Sequence, residues 1–212
     1  MHLIICQYND ITQNIINLKP YQMLTKREEG VKMAVKIETD NFIIRDVRFS
    51  DYEYFAEWEV DQEMTRYFSF DADRTYEDVV TEGFAFKEDK SVLDLTITDK
   101  SSGEPLGRII ITRIEPHYKS LDITKIYVGG DMRGKGIGSE VLVGLLKYLF
   151  EEQEMHRVTL DYYTENTRAR DLYRRLGFVD EGVARDACTK DGKYFDLNLM
   201  SILRDEYLKI YG

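Results

Sequence analysis

A chain of 212 residues, 43% of them hydrophobic, can bury one substantial core and has little length to spare for a second. A formal charge of −10 and a pI near 4.9 argue against a general nucleic-acid or anionic-membrane binder, which carries a basic face, and suit a cationic partner. Cys6 and Cys188 frame no disulfide scaffold, and His2, His117 and His156 show no metal-ligand spacing. No apolar run nears the ~20 residues of a membrane span, so a cytoplasmic protein with no metal site is expected.

In chain order, the first thirty or so residues stand apart. Between Met1 and Lys32 the apolar positions keep neither a helical nor a strand period, and Pro20 interrupts the middle. The opening MHLIICQYND lacks the basic start and sustained apolar stretch of a signal peptide. Residues 1–35 are expected to form a poorly packed arm. The stretch REEGVKM, Arg27 to Met33, can be written with the purine-rich codons of a bacterial ribosome-binding site, which would make Met33 the natural start; an ordinary charged linker reads equally well.

Residues 36–212 are expected to form one α/β domain around a central mixed sheet. Phe42 to Arg45 predicts a strand, and Ser50 with Glu53 predicts a capping box opening a helix that runs through Trp58. A charged amphipathic segment, RTYEDVVTEGFAFKEDK, follows. Two β-rich runs then flank the turn Ser101 to Pro105, a hairpin signal, and SLDITKIYV adds another strand. A glycine-rich stretch, DMRGKGIGSEVL, opens a helix with an apolar stripe of Val141, Leu142, Leu145, Leu146, Leu149 and Phe150. The strand HRVTLDYY, the short helix NTRARDLYRRL stopped by Gly177, and a last strand around KYFDLNLMSI complete the reading.

The glycines sit between a strand ending at Val128 and the start of a helix, a junction suited to anions. Free amides of the first turn and the positive end of the helix dipole favour a phosphate, glycines let the backbone approach it, and Arg133 and Lys135 add positive charge. Three phosphate-loop patterns compete. A Walker A loop is nearly matched by Gly129 and Gly134-Lys135, but Gly136 stands where a Ser or Thr must hold magnesium. A dinucleotide fingerprint is begun by Gly134 and Gly136, with Asp161 as its ribose acid, yet Ser139 replaces the third glycine. The pattern R-x-x-G-x-G is met by Arg133, Gly136 and Gly138.

The later segment NTRARDLYRRLGF places Asn166 at a helix start, Ala169 and Tyr173 one turn apart, and Gly177-Phe178 at its end. With the glycine loop upstream, the chain from about Asn41 to Ile202 resembles the GNAT superfamily of acetyl-CoA-dependent acetyltransferases. The resemblance is strongest to the branch of spermidine and ribosomal-protein-alanine acetyltransferases. It implies a sheet splayed at the acetyl-CoA site and flanked by helices. It also implies pyrophosphate contacts from Arg133, Gly134, Gly136, Gly138 and Ser139, with Lys135 and Ile137 in the same loop. The pantetheine arm would lie along Ile126, Tyr127 and Val128, Asn166 would touch it, and Tyr173 would protonate the departing thiolate.

The resemblance further implies direct attack of a neutral amine, with a backbone N–H, that of Val128, stabilising the oxyanion. Many relatives carry Glu where this chain has Ile123, so the base is open among Asp122, Glu115 and His117. The first helix and its following loop would line the acceptor cleft with Glu57, Glu59, Asp61, Glu63 and Asp71, beside Trp58 and the Arg66-Tyr67 pair. A polyamine, a protein N-terminus or an amine-bearing antibiotic fits, and the resemblance leaves room for a homodimer. Loss of the strand glutamate also permits a different class, a silent CoA-binding or sensing module.

Overall fold

The computed structural model describes residues 35–71, 73–129 and 136–212, so the arm before Val35 and the loop residues Arg133, Gly134 and Lys135 lie outside the described residues. Strands β1 (Lys36–Glu38) and β2 (Phe42–Asp46) come first, followed by helix α1 (Asp51–Glu59), a 3-10 turn (Thr65–Tyr67) and helix α2 (Tyr76–Glu88). A meander of β3 (Leu93–Asp99), β4 (Pro105–Glu115) and β5 (Ser120–Val128) precedes α3 (Ile137–Lys147), which a π turn over Tyr148–Glu152 prolongs. The chain ends with β6 (Arg157–Tyr163), α4 (Thr167–Arg175), the hairpin of β7 (Val179–Lys190) and β8 (Lys193–Leu203), and α5 (Arg204–Tyr211). All eight strands form one sheet in the order β1-β2-β3-β4-β5-β6-β8-β7. The β5–β6 contact is parallel and the other pairs are antiparallel.

The α3 stripe read from the sequence is the centre of the core: Val141, Leu142, Leu145, Leu146, Leu149 and Phe150 are all fully buried against the sheet. The helix is pulled onto the β1–β2 turn by its own residues. A Cβ on Gly144 would lie 2.6 Å from the Thr39 methyl, and the Glu140 carboxylate accepts hydrogen bonds from the Thr39 hydroxyl (2.7 Å) and the Asn41 amide (2.8 Å). Side chains of α4 and α5, Tyr173 and Tyr207, belong to this same cluster. The opposite face of the sheet carries α1 and α2, whose Tyr52, Phe55 and Val79 make a smaller apolar cluster. Among the described residues no helix is long and apolar enough to cross a membrane.

Three local expectations change. Ser50 makes no side-chain cap; instead Asp51 accepts from the Arg48 amide at 2.8 Å, from the Arg45 guanidinium at 2.6 Å and from the Thr96 hydroxyl at 2.7 Å. Burial alone would raise the Asp51 carboxyl, but these partners outweigh it and hold the group below its ordinary range. β7 is an edge strand with mostly exposed side chains, so it shows no alternation to read. α5 follows β8 without a loop and is an eight-residue helix that the sequence reading did not separate from the strand.

Arg108 is the unusual residue of the core. It lies mid-strand in β4, within a run of buried positions, and is itself fully buried. Its guanidinium meets Asp94 of β3 with two hydrogen bonds of 2.8 Å and Glu59 of α1 at 2.8 Å, and sits 4.6 Å from the Phe55 ring centroid. Arg74 then bridges Glu59 and Glu82 of α2, both at 2.6 Å, while Lys125 lies 3.8 Å from Glu82. The Tyr127 hydroxyl donates to Glu59 at 2.5 Å. Burial works against every charge here. It wins at Asp94, whose carboxyl is raised despite Arg108, and loses at Glu82, which Lys125, Arg108 and Arg74 hold below its usual range.

A buried network of this kind tolerates loss of a partner poorly, because the remaining charges keep their desolvation cost. Arg108→Met is therefore expected to cost about 3–5 kcal/mol in urea unfolding, by leaving the buried Asp94 without its cation and Glu59 with Arg74 alone. A loss under about 1 kcal/mol would mean the network does not hold α1 and α2 on the sheet.

Candidate active site

The site begins where two strands part. β5 and β6 run in parallel register only from Ser120↔Arg157 to Ile123↔Leu160, although both strands continue. The β4–β5 ladder shifts register between Ile110↔Lys125 and Ile111↔Ile123, leaving Thr124 as an extra residue on β5. Such a bulge bends the strand that carries it. Past it, the second half of β5 faces a cleft of about 1360 Å³ rather than another strand.

One wall of the cleft is the start of α3. Gly136 is the N-cap, with a left-handed φ of 84°, no side-chain cap, and, among the described residues, nothing within 4 Å of where its Cβ would stand. The first-turn amides of Ile137 and Gly138 have no acceptor within the helix, and the Ser139 amide is turned back onto the Gly136 carbonyl at 3.0 Å. Gly136, Ile137, Gly138 and Ser139 all line the cleft. With glycine at 136 and 138, these two positions put no side chain of their own between the first-turn amides and an anion.

Along the fork, Ile126, Tyr127 and Val128 line the same cleft. The Tyr127 side chain is fully committed to the buried network, with burial and Glu59 raising its phenol, so its share in binding is left to the backbone. The ring of Trp58 packs so tightly on Gly129 that a Cβ there would lie 2.1 Å from it. Trp58 thus buttresses the end of β5 and does not line the cleft.

Across the fork stands α4. Asn166 caps it by accepting from the Ala169 amide at 3.1 Å and also lines the cleft. Tyr173, one further turn along, is buried against Tyr162 (ring centroids 5.8 Å apart) and Phe178 (5.9 Å), with its edge on the cleft. Burial first, then the nearby charge of Asp161, pushes its phenol up, so it is protonated at neutral pH. A proton donor and an anion cradle therefore share one cavity.

The expected bases do not share it. Asp122 is almost fully buried and does not line the cleft: its carboxylate is taken by Arg113 at 2.7 Å, Thr159 at 2.6 Å and Thr124 at 3.0 Å. His117 lies in the β4–β5 turn, its ring 4.9 Å from that of Tyr118, and Glu115 pairs with Ser120 beside it. That turn is at the end of β5 opposite the fork. The acceptor wall also differs from the expectation. Glu59 is locked in the buried network, Glu57 and Asp61 do not line the cleft, and Glu63 and Asp71 do. Beside them are cations the sequence reading gave no role, Arg74 and Lys125, the latter 4.4 Å from the Phe70 ring centroid. The loop carrying Phe70 is tied to the far side of the cleft by Lys190 on the Thr65 carbonyl (2.6 Å) and by a 2.7 Å bond between the Ser69 and Tyr163 hydroxyls.

This geometry has counterparts among known proteins. A family model described as an acetyltransferase (GNAT) domain matches residues 41–179. The chain is 34% identical over 80 residues to the ribosomal protein uS5 alanine N-acetyltransferase of Escherichia coli, covering 38% of this chain and 41% of that protein. It is 29% identical over 103 residues to the spermidine N(1)-acetyltransferase of Vibrio cholerae, covering 49% and 59%. The matches thus span about half the length of these two curated relatives. In three dimensions it shares the fold of the Vibrio cholerae spermidine N-acetyltransferase solved with CoA and spermine, with a TM-score of 0.72 and 21% identity over 79% of this chain and 98% of that one. With the matched domain spanning the fork, the start of α3 and the α4 tyrosine, the chain belongs to the GNAT family of acetyltransferases.

Proposed function

We propose that the protein is an acetyl-CoA-dependent N-acetyltransferase that moves the acetyl group to a primary amine by direct attack. The observation that carries this reading is that a glycine-capped helix N-terminus and a buried, protonated tyrosine lie at two places along one cleft that enters the sheet through a strand fork. The start of α3 would hold the pyrophosphate, together with Arg133, Gly134 and Lys135 of the preceding loop. The open edge of β5 would pair with the amides of the pantetheine arm as a further strand does. The thioester supplies the activated acyl group. The Val128 amide would stabilise the oxyanion, and Tyr173 would donate its hydroxyl proton to the leaving sulfur.

The acceptor wall favours the amine of a protein or peptide N-terminus over a free polyamine. A bare polycation needs uncompensated acids along its length. Here Glu82 is already paired with Arg74, and the remaining acids of the cleft, Glu63, Asp71 and Asp161 among them, share it with the cations Arg66, Lys125, Arg168 and Arg175. A peptide brings carbonyls and side chains that these cations can meet.

A thiol-release assay with acetyl-CoA tests the reaction. Turnover is expected with an alanine-initiated peptide in preference to spermidine, and thiol release with no amine in a broad panel would contradict the reading. Binding is tested by Gly136→Asp, which puts a carboxylate into space that no described residue fills, at a φ that Asp tolerates better than most residues. Calorimetry is expected to give at least about tenfold weaker CoA binding with the melting temperature little changed; equal affinity would remove the phosphate from α3. Tyr173→Phe keeps the packing against Tyr162 and Phe178. It is expected to lower kcat by ~10²–10⁴-fold with KM for acetyl-CoA unchanged, and a near-normal kcat would make the tyrosine a packing residue only.

A further inference from the structure

β6 leaves its pairing with β5 at Leu160, which makes Asp161 the first residue past the fork. Strand alternation puts Asp161 on the face of Thr159 and Tyr163, opposite the core face of Leu160 and Tyr162. Its side chain lines the cleft. Among the described residues this carboxylate has no ion pair and no hydrogen bond, whereas the nearby Asp122 is held by Arg113. The charged and titratable groups near enough to act on it are Asp122 from β5, Arg113 from β4 and Tyr173 from α4, the last packed on Tyr162 at the other face of the strand, while its partner on β8 is the apolar Leu199.

We propose that Asp161 is the general base of the reaction, the group that takes the proton from the acceptor ammonium at the mouth of the fork. The assignment rests on the acetyl-transfer reading above. The ammonium passes one proton to an Asp161 carboxylate oxygen and becomes a neutral amine. The amine nitrogen then bonds to the thioester carbon, the carbon–sulfur bond breaks, and Tyr173 protonates the sulfur. The second proton on the new amide nitrogen restores the tyrosine. The proton on Asp161 goes to water, so the balance is one proton released per amide formed.

The surroundings suit this role. Burial, reinforced by the Asp122 charge and only partly opposed by Arg113, raises the Asp161 carboxyl to about 7. A base with that affinity is both partly ionised and strong enough at neutral pH. The coupling to Tyr173 has the right direction as well. An ionised Asp161 helps keep the phenol protonated, and once Asp161 holds the ammonium proton that restraint is lifted, just before the thiolate needs a proton.

Asp161→Asn separates this role from packing. With whichever of the alanine-initiated peptide and spermidine the wild type uses, kcat/KM of the wild type is expected to rise with pH through a midpoint near 7. The variant is expected to lose that limb and fall ~10²–10⁴-fold, with KM for acetyl-CoA unchanged. Stability supplies a second reading. A carboxyl raised in the folded state disfavours folding once it ionises, so stability drops as pH rises from its unfolded to its folded midpoint. The variant should therefore melt higher than wild type, and by more at pH 8 than at pH 5. A variant that keeps kcat/KM within threefold, or keeps the acid limb, overturns the proposal while leaving acetyl transfer standing. A wild type that acetylates no amine overturns the acetyl-transfer reading and the base with it.

Discussion

Everything at the site depends on β5 and β6 being paired for only four residues. A parallel pair normally continues as long as both strands do, because each unpaired backbone group buried away from water is costly. Here the strands continue and the pairing stops. Thr124 is inserted opposite β4, which bends β5, and the side chains beyond it are claimed by other partners: Lys125 by Glu82 and Phe70, Tyr127 by Glu59. The far half of β5 is therefore attached to α1 and α2, and its edge toward β6 is left unpaired.

The network that makes this attachment contains three cations, Arg74, Arg108 and Lys125, and three acids, Glu59, Glu82 and Asp94. Its charges cancel, so it neither attracts nor repels a distant polycation strongly. A hydrophobic cluster of equal volume could fix the two helices as firmly. What the ionic version adds is direction: Glu59 alone accepts from Arg74, Arg108 and Tyr127, which sets α1, Arg74 ahead of α2, β4 and β5 in one geometry. Catalytic carboxyl chemistry is separated from it. Asp161 has no cation paired to it among the described residues, whereas Glu59, Glu82 and Asp94 each meet at least one.

Much of this was legible before the structure. The α3 stripe, the β5 segment and the glycine before α3 follow from a 3.6-residue period, an uninterrupted β-rich run and a strand-to-helix junction, all local signals. Tyr173 and Asn166 came from a motif resemblance, and both line the cleft. The failures are non-local. Ser50 looked like a cap because of its spacing to Glu53, but Asp51 beside it finds Arg45 and Thr96 across the fold and takes over. Asp122, one of three candidate bases beside the strand position that Ile123 fills, has its carboxylate held by Arg113 and Thr159, partners that no sequence spacing reveals. Arg108 was visible as a lone cation in an apolar run, a signal that a buried acid must lie elsewhere, though no sequence spacing says that Asp94 and Glu59 supply it. Asp161 stands in an alternating strand, where parity gives its face; that β6 diverges from β5 just there is a property of the sheet.

The central claim is that a CoA ligand lies in the fork, along the free edge of β5 and on the start of α3. Amide hydrogen exchange with and without CoA tests it directly, because it reads backbone protection segment by segment and needs no acceptor. The account expects new protection in Thr124–Val128 and in Ile137–Ser139, with the β5 segment before Ile123 unchanged, since that part is already paired on both sides. Protection confined to the β7–β8 hairpin, or none in the second half of β5 at saturating CoA, would contradict it.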